Sequence, residues 1–155
     1  MLAEVLSSAI AVGPTILVTE VDAKQARAIA AENGVEVLDD PGGGQGAAVK
    51  AALGAVPDWP ALVVNADLPE AQPRDLLALL GAMPEDGIAI APAPDGTTNA
   101  LALAKPGVFE PLYGPDSAAR FREHAEELGI DATELVIPAL AHDVDTVEEL
   151  EQLEP

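Results

Sequence analysis

Three features of the 155-residue sequence have the residue types and spacing to do chemistry. The first is Asp67 in VVNADLP, directly behind the apolar run ALVV. A carboxylate behind a buried strand is aimed by a rigid element, and a hard cation such as Mg²⁺ takes oxygen ligands of this kind. The plain alternative is a turn or helix cap, since aspartate is a common turn residue. The second is the pair Asp143 and Asp145 in AHDVDT. In an extended segment both side chains point to one side, and two close like charges are costly unless a cation lies between them. Here the alternative is that Asp145 caps the last helix together with Thr146. The third is the loop DPGGGQGAA, residues 40–48. Its glycines let backbone N–H groups approach a nucleotide or phosphate, and the helix that follows adds a partial positive charge. It is neither a Walker loop nor a dinucleotide fingerprint, and a flexible connection is an equal reading of it.

Weaker candidates complete the set. TTNAL at 97–101 offers hydroxyls and an amide before a strand, and YGPDS at 113–117 puts Gly114 and Ser117 at a helix N-terminus. That is a seat for an anion, with Ser117 as a plain N-cap the alternative. His124 reads as a surface residue, His142 as a neighbour of Asp143 and Trp59 as packing at a loop edge. No Ser/His/Asp triad or HExxH pattern occurs.

Alternating strands and helices must position these groups. Apolar, β-branched runs predict strands at 15–19, 35–38, 61–64, 88–91 and 101–104, with short strands at 134–137 and near His142. The N-terminal residues Leu2, Val5, Leu6 and Ile10 share one face of an amphipathic helix. Asp22 is expected to cap a helix that runs to Glu32 and closes at Asn33-Gly34. Further helices are expected at 47–53, from Pro73 to Leu80, from Asp116 or Ser117 to Leu128, and after Thr146. This order implies βαβ units and a mostly parallel sheet in one domain. In such sheets ligands bind beyond the carboxyl ends of the strands, where all three features fall.

Bulk composition narrows the ligands. Seven Lys and Arg against 27 Asp and Glu leave a formal net charge of −20. That surface repels nucleic-acid backbones and anionic lipids, so neither nucleic acid nor a membrane is expected as a partner. An anionic substrate would need a metal ion or clustered amides. The charge also suits a host with high internal salt, where self-repulsion is screened. Cysteine is absent, which fits a reducing, cytoplasmic setting. No run approaches a membrane span, and the start lacks the basic leader of a signal peptide.

NADLP, TTNAL, YGPDS and DVDTVEEL, in this order and spacing, resemble the guanylyltransferases that activate 2-phospho-L-lactate or phosphoenolpyruvate for coenzyme F-420 biosynthesis. DPGGGQGAAVKAAL resembles a family segment closer to PGGLNAAL. The resemblance spans nearly the whole chain. It implies a three-layer, GT-A/MobA-like nucleotidyltransferase fold with a mixed, mostly parallel sheet, and transfer of GMP from GTP with release of pyrophosphate. It also implies Thr98, Gly114 and Ser117 as contacts for the phosphorylated three-carbon acid. Asp67, Asp143 and Asp145 become the carboxylates for Mg²⁺, with Asp67 and Asp145 the catalytic pair. Gly43, Gly44 and Gln45 lie near the nucleotide. Another transferase of the same fold, for molybdenum cofactor or sugar phosphates, and a non-catalytic binding module are the rivals. A homodimer is left open.

Two departures stand out against that family. Phe121 occupies the place of a histidine four residues after Ser117. The chain also begins inside the helix that follows the family's first strand and lysine-bearing loop. A start placed at an internal methionine accounts for this best, ahead of a deliberately shortened chain or a non-catalytic relative. Loss of that strand is expected to leave two neighbouring strand edges without ladder partners.

Overall fold

The computed structural model describes residues 1–56 and 59–142. It contains six strands and six helices: α1 (Leu2–Val12), β1 (Ile16–Thr19), α2 (Lys24–Glu32), β2 (Glu36–Asp39), α3 (Gln45–Gly54), β3 (Ala61–Val64), α4 (Pro73–Ala82), β4 (Ile88–Pro92), β5 (Thr98–Leu103), α5 (Ser117–Leu128), β6 (Ala132–Glu134) and α6 (Pro138–Ala141). No helix among the described residues is long and apolar enough to cross a membrane.

The strands form two ladders. β1 pairs with β2 in parallel. The other four run in the order β3-β5-β4-β6, antiparallel at β3–β5 and β5–β4 and parallel at β4–β6. The sheet is therefore mixed, with parallel and antiparallel pairings equal in number among the described residues. β3 and β1 each keep one edge without a strand partner among those residues.

Side-chain alternation sorts the core. Ala89, Ala91, Ala100 and Ala102 meet Val5 of α1, Leu76 and Leu79 of α4, and Leu140 of α6 on one face. Ile88, Ile90, Leu101 and Leu103 meet Phe121 and Ala125 of α5 on the other. Small residues on the first face let the helices approach closely, while branched residues fill the second. Full burial of each such Leu or Ile contributes about 1.5–3 kcal/mol. A separate cluster of Leu6, Ala30 and Val35 joins α1 and α2 to the two-stranded ladder.

Local chemistry explains the boundaries. α4 starts where Pro73 pre-sets φ and Asp75 accepts from the Gln72 backbone N–H at 2.9 Å. α5 ends at Gly129 in the left-handed region, φ 70°.

Several expectations need correction. Ala23, not Asp22, occupies the cap position of α2, with no side-chain capping bond. Ile10 lies on the exposed side of α1 and Trp59 is 71% exposed. His124 is half-buried rather than fully on the surface. Residues 138–141 form the short helix α6, not a strand, because Pro138 sits at its first turn and the Leu140 amide closes on Ile137 O at 2.9 Å. The helix expected after Thr146 lies outside the described residues.

One irregularity matters for the site. Ala91 pairs with Ala100 but Pro92 pairs with Thr98, so Asn99 is an extra residue in β5. A bulge of this kind re-aims the side chains beside it. Without it Thr98 would share the face of Ala100 and Ala102. With it Thr98 turns to α5 and Asn99 turns to α6.

Candidate functional site

The bulge brings two of the sequence-selected residues together. The Thr98 and Ser117 hydroxyls lie 2.9 Å apart, and the residues are 2% and 0% exposed. Ser117 therefore commits its hydroxyl to the sheet and does not cap α5. Two amides of the first turn are also committed: Ser117 N–H donates to Gly114 O and Ala118 N–H to Gly96 O, both at 3.1 Å. Those two amides are turned to backbone carbonyls, and the hydroxyl pair forms a buried fastening under the Gly114 turn.

Gly114 itself needs to be glycine. Its φ is +113°, and a Cβ would lie 3.3 Å from Arg120 Nη2, which already donates to Tyr113 O at 3.0 Å. Tyr113 packs edge-on against Phe121, with ring centroids 5.3 Å apart. The position where the resembled family carries histidine is here part of an apolar cluster, 2% exposed. Burial pushes the Tyr113 phenol well above its ordinary pKa, so it stays neutral.

Across from this turn stands the glycine loop. Gly42, Gly43 and Gly44 all have positive φ, at 79°, 96° and 91°. Gly44 begins α3 without a side-chain capping bond, and the N–H groups of Gln45, Gly46 and Ala47 meet no acceptor among the described residues. These are the free donors of an uncapped helix N-terminus. Gly46 lets the helix lie against Pro111, because a Cβ there would come within 2.6 Å of Pro111 Cβ. Gly43, Gly44, Gln45, Lys50, Tyr113 and Gly114 are among the walls of one cleft of about 620 Å³. The loop and the Gly114 turn, far apart in sequence, are therefore opposite sides of a single space. A larger cleft of about 780 Å³ lies between α1, residues 69–72 and the start of α6.

An amide chain runs from the glycine loop past the ends of β3 and β5 to α6. Gln45 Nε2 donates to Asn65 Oδ1 at 2.6 Å, and Asn65 Nδ2 donates to Thr98 O at 3.3 Å and Asn99 Oδ1 at 3.4 Å. Asn99 Nδ2 in turn donates to Leu140 O at 2.9 Å. Asp67 follows two residues later than Asn65, half-buried in the turn beyond β3. Asp143 and Asp145 lie outside the described residues. Among the described residues no three His, Cys, Asp or Glu side chains converge on a metal position. The donor set still suits Mg²⁺, which is commonly held by one or two carboxylates with waters and substrate phosphates completing its shell.

Asn65, Lys50 and Arg120 are not singled out by the sequence, which offers Asn99 only as the amide of TTNAL. The two asparagines stood inside NADLP and TTNAL. Their pairing depends on β3–β5 register and on the bulge, which single-sequence patterning does not show.

Comparison with known proteins agrees with this geometry. The model of the MobA-like NTP transferase domain matches residues 1–136. A phosphoenolpyruvate guanylyltransferase of Streptomyces scabiei is 37% identical over 92% of this chain and 68% of its own length. A 2-phospho-L-lactate guanylyltransferase of Natrialba magadii is 40% identical over 64% of this chain and 41% of its own. Across three further phosphoenolpyruvate guanylyltransferases the chain spans 45% to 65% of the relative's length. The crystal structure of 2-C-methyl-D-erythritol 4-phosphate cytidylyltransferase from Thermus thermophilus shares the fold, with a TM-score of 0.69 at 16% identity, covering 98% of this chain and 86% of that one. With helices on both faces of a mixed sheet and a glycine loop opposite the Gly114 turn, the chain belongs to the family of MobA-like NTP transferase domains.

Proposed function

We propose that the chain carries out guanylyl transfer from GTP to the phosphate of a three-carbon acid, phosphoenolpyruvate or 2-phospho-L-lactate, in coenzyme F-420 biosynthesis. The observation that carries this is the cleft with the uncapped start of α3 and Lys50 on one side and the Gly114 turn on the other. In a chain of net charge −20, free amides with one lysine are a place where a triphosphate can be held. The names of the similar guanylyltransferases supply the identity of donor and acceptor.

The chemistry needs no protein nucleophile. An acceptor phosphate oxygen attacks the α-phosphorus of GTP, the bond from that phosphorus to the bridging oxygen breaks, and pyrophosphate leaves with the electron pair. The protein holds donor and acceptor in line and offsets charge. Gly43, Gly44 and Gln45 seat the nucleotide. Gly114 shapes the acceptor end, with Thr98 and Ser117 beneath it holding its position. Mg²⁺, when bound, neutralises charge on the triphosphate, and Asp67 with Asp143 and Asp145 would hold it. The absence of cysteine supports a cytoplasmic setting.

The test is pyrophosphate release with Mg²⁺, from GTP, CTP and UTP in parallel, each offered both acids. GTP-dependent release with one of the two acids is expected. Release from CTP alone would point to another transferase of this fold, and nucleotide binding without release in any combination would favour a binding module.

A further inference from the structure

With seven Lys and Arg against 27 Asp and Glu, a basic side chain of this protein finds a carboxylate easily. Arg27 pairs with Asp39 and Arg122 with Glu134, both at 2.5 Å. Arg120, two residues before Arg122 on α5, does not: among the described residues no carboxylate lies within 4.0 Å of it. Asp116, one turn back, has its Oδ1 beside Gly96, 3.5 Å from where a Cβ would stand. Arg120 is half-buried, and its Nη2 donates to the Tyr113 carbonyl at 3.0 Å. Its buried Nε meets no partner among the described residues. A sheltered charge held by one neutral carbonyl is costly, so stability does not account for it.

That contact fixes the whole Tyr113–Gly114 peptide. The bond is trans, so its N–H points opposite to its C=O. With the carbonyl turned to the guanidinium, the Gly114 N–H is turned away from it, and no acceptor among the described residues takes this N–H. Gly114 is a wall of the cleft that faces the glycine loop. A cation at the carbonyl also polarises the peptide, which strengthens its N–H as a donor.

We propose that Arg120 is a positioning residue for the acceptor: it locks the Tyr113–Gly114 peptide so that the Gly114 N–H is offered to an anionic oxygen of the three-carbon acid. This rests on the transfer reading above. Arginine suits the task because its planar guanidinium stays charged and holds a fixed direction. In a chain of net charge −20, it brings positive charge to the acceptor side of the cleft, as Lys50 does on the nucleotide side.

Arg120→Met removes donor and charge, and Arg120→Lys keeps the charge with a different geometry. Pyrophosphate release gives kcat and both KM values. In Arg120→Met, KM for the acid is expected to rise about tenfold to a hundredfold, the range lost with a hydrogen bond to a charged group, with KM for GTP unchanged. Arg120→Lys should recover part of that loss. Acid binding is also read on the Gly114 amide proton by NMR, with Mg²⁺ and the α,β-methylene analogue of GTP, which cannot transfer GMP. The acid should move this resonance downfield in wild type and by much less in Arg120→Lys. A purely structural role would lower the melting temperature and shift both KM values alike. Should Arg120→Met fail to fold, Arg120→Lys and the wild-type amide titration carry the test. Wild-type protein that turns over while its Gly114 amide ignores the acid, or foldable variants with an unchanged KM for it, overturns the role of Arg120. Wild-type protein that releases no pyrophosphate with either acid overturns the transfer reading itself.

Discussion

The two ladders of this molecule are built to different standards. β4 and β5 are buried almost end to end, between residues of α1, α4 and α6 on one face and of α5 on the other. β1 is only half-buried along its length, and β2 is exposed at both ends. The first ladder carries the hydroxyl pair, the amide chain and the strand end leading to Asp67. The second leads into three glycines of positive φ. The hydroxyl of Thr98 and the Asn99 amide stand on buried β5, Asn65 and the turn to Asp67 follow half-buried β3, and the glycine loop hangs from β2. Rigid elements give positional accuracy, whereas loops tolerate adjustment.

Paired substitutions sharpen this contrast. Leu101→Ala empties a site 0% exposed in β5 and is expected to cost about 2–5 kcal/mol. Leu17→Ala in half-buried β1 should cost well under half of that. Thermal or urea unfolding of the two variants checks the ranking, and equal losses would break the comparison. Ser117→Ala leaves the buried Thr98 hydroxyl without its partner, a loss of about 1–3 kcal/mol. If the pair holds the acceptor end, KM for the acid should rise while KM for GTP stays unchanged. Gly46→Ala presses on Pro111 and should cost about 1–3 kcal/mol of overpacking strain. There the kinetic effect is expected in KM for GTP and not in KM for the acid.

The smallest effect concerns Asp95 in the turn before β5. Hydrogen bonds from the Thr97 hydroxyl and N–H hold its carboxyl below the ordinary aspartate value. A depressed folded-state value stabilises above the unfolded pKa, and that contribution is lost as pH falls through the folded one. Thr97→Val removes the hydroxyl donor, so the Asp95 titration should move up toward the ordinary value. The stability difference from wild type should fade in acid. Carbon-detected NMR titration of Asp95 reads this directly.

Much of the scaffold was legible because local signals agreed with it. The run at 61–64 was bounded correctly as a strand, since ALVV is too short and β-rich for a helix and ends in a turn sequence. Pro73 marked the start of α4, and Gly129 the end of α5. Errors arose where tertiary partners decided. β5 begins at Thr98, three residues before the apolar run, because Thr98 pairs with Pro92 of β4, its carbonyl accepts from Asn65 just beyond β3, and its hydroxyl bonds to Ser117 of α5. Ser117 has the sequence position of a cap, yet its hydroxyl goes to Thr98. The segment near His142 reads as a short strand, whereas Pro138 makes residues 138–141 a helical turn. For the site, glycine content and strand-end aspartate were visible in one dimension. The meeting of the glycine loop with Gly114, and the amide chain from Gln45 to α6, depend on strand order.

The central claim is that a strand-end carboxylate and this cleft together make a metal-dependent transferase. It is tested most directly by pyrophosphate release from GTP and Mg²⁺ with the preferred acid, comparing wild type with Asp67→Asn. The account predicts 1:1 pyrophosphate and guanylylated acid for wild type. The variant should lose at least about a hundredfold in rate at an unchanged melting temperature. An Asp67→Asn protein that turns over at the wild-type rate would contradict it.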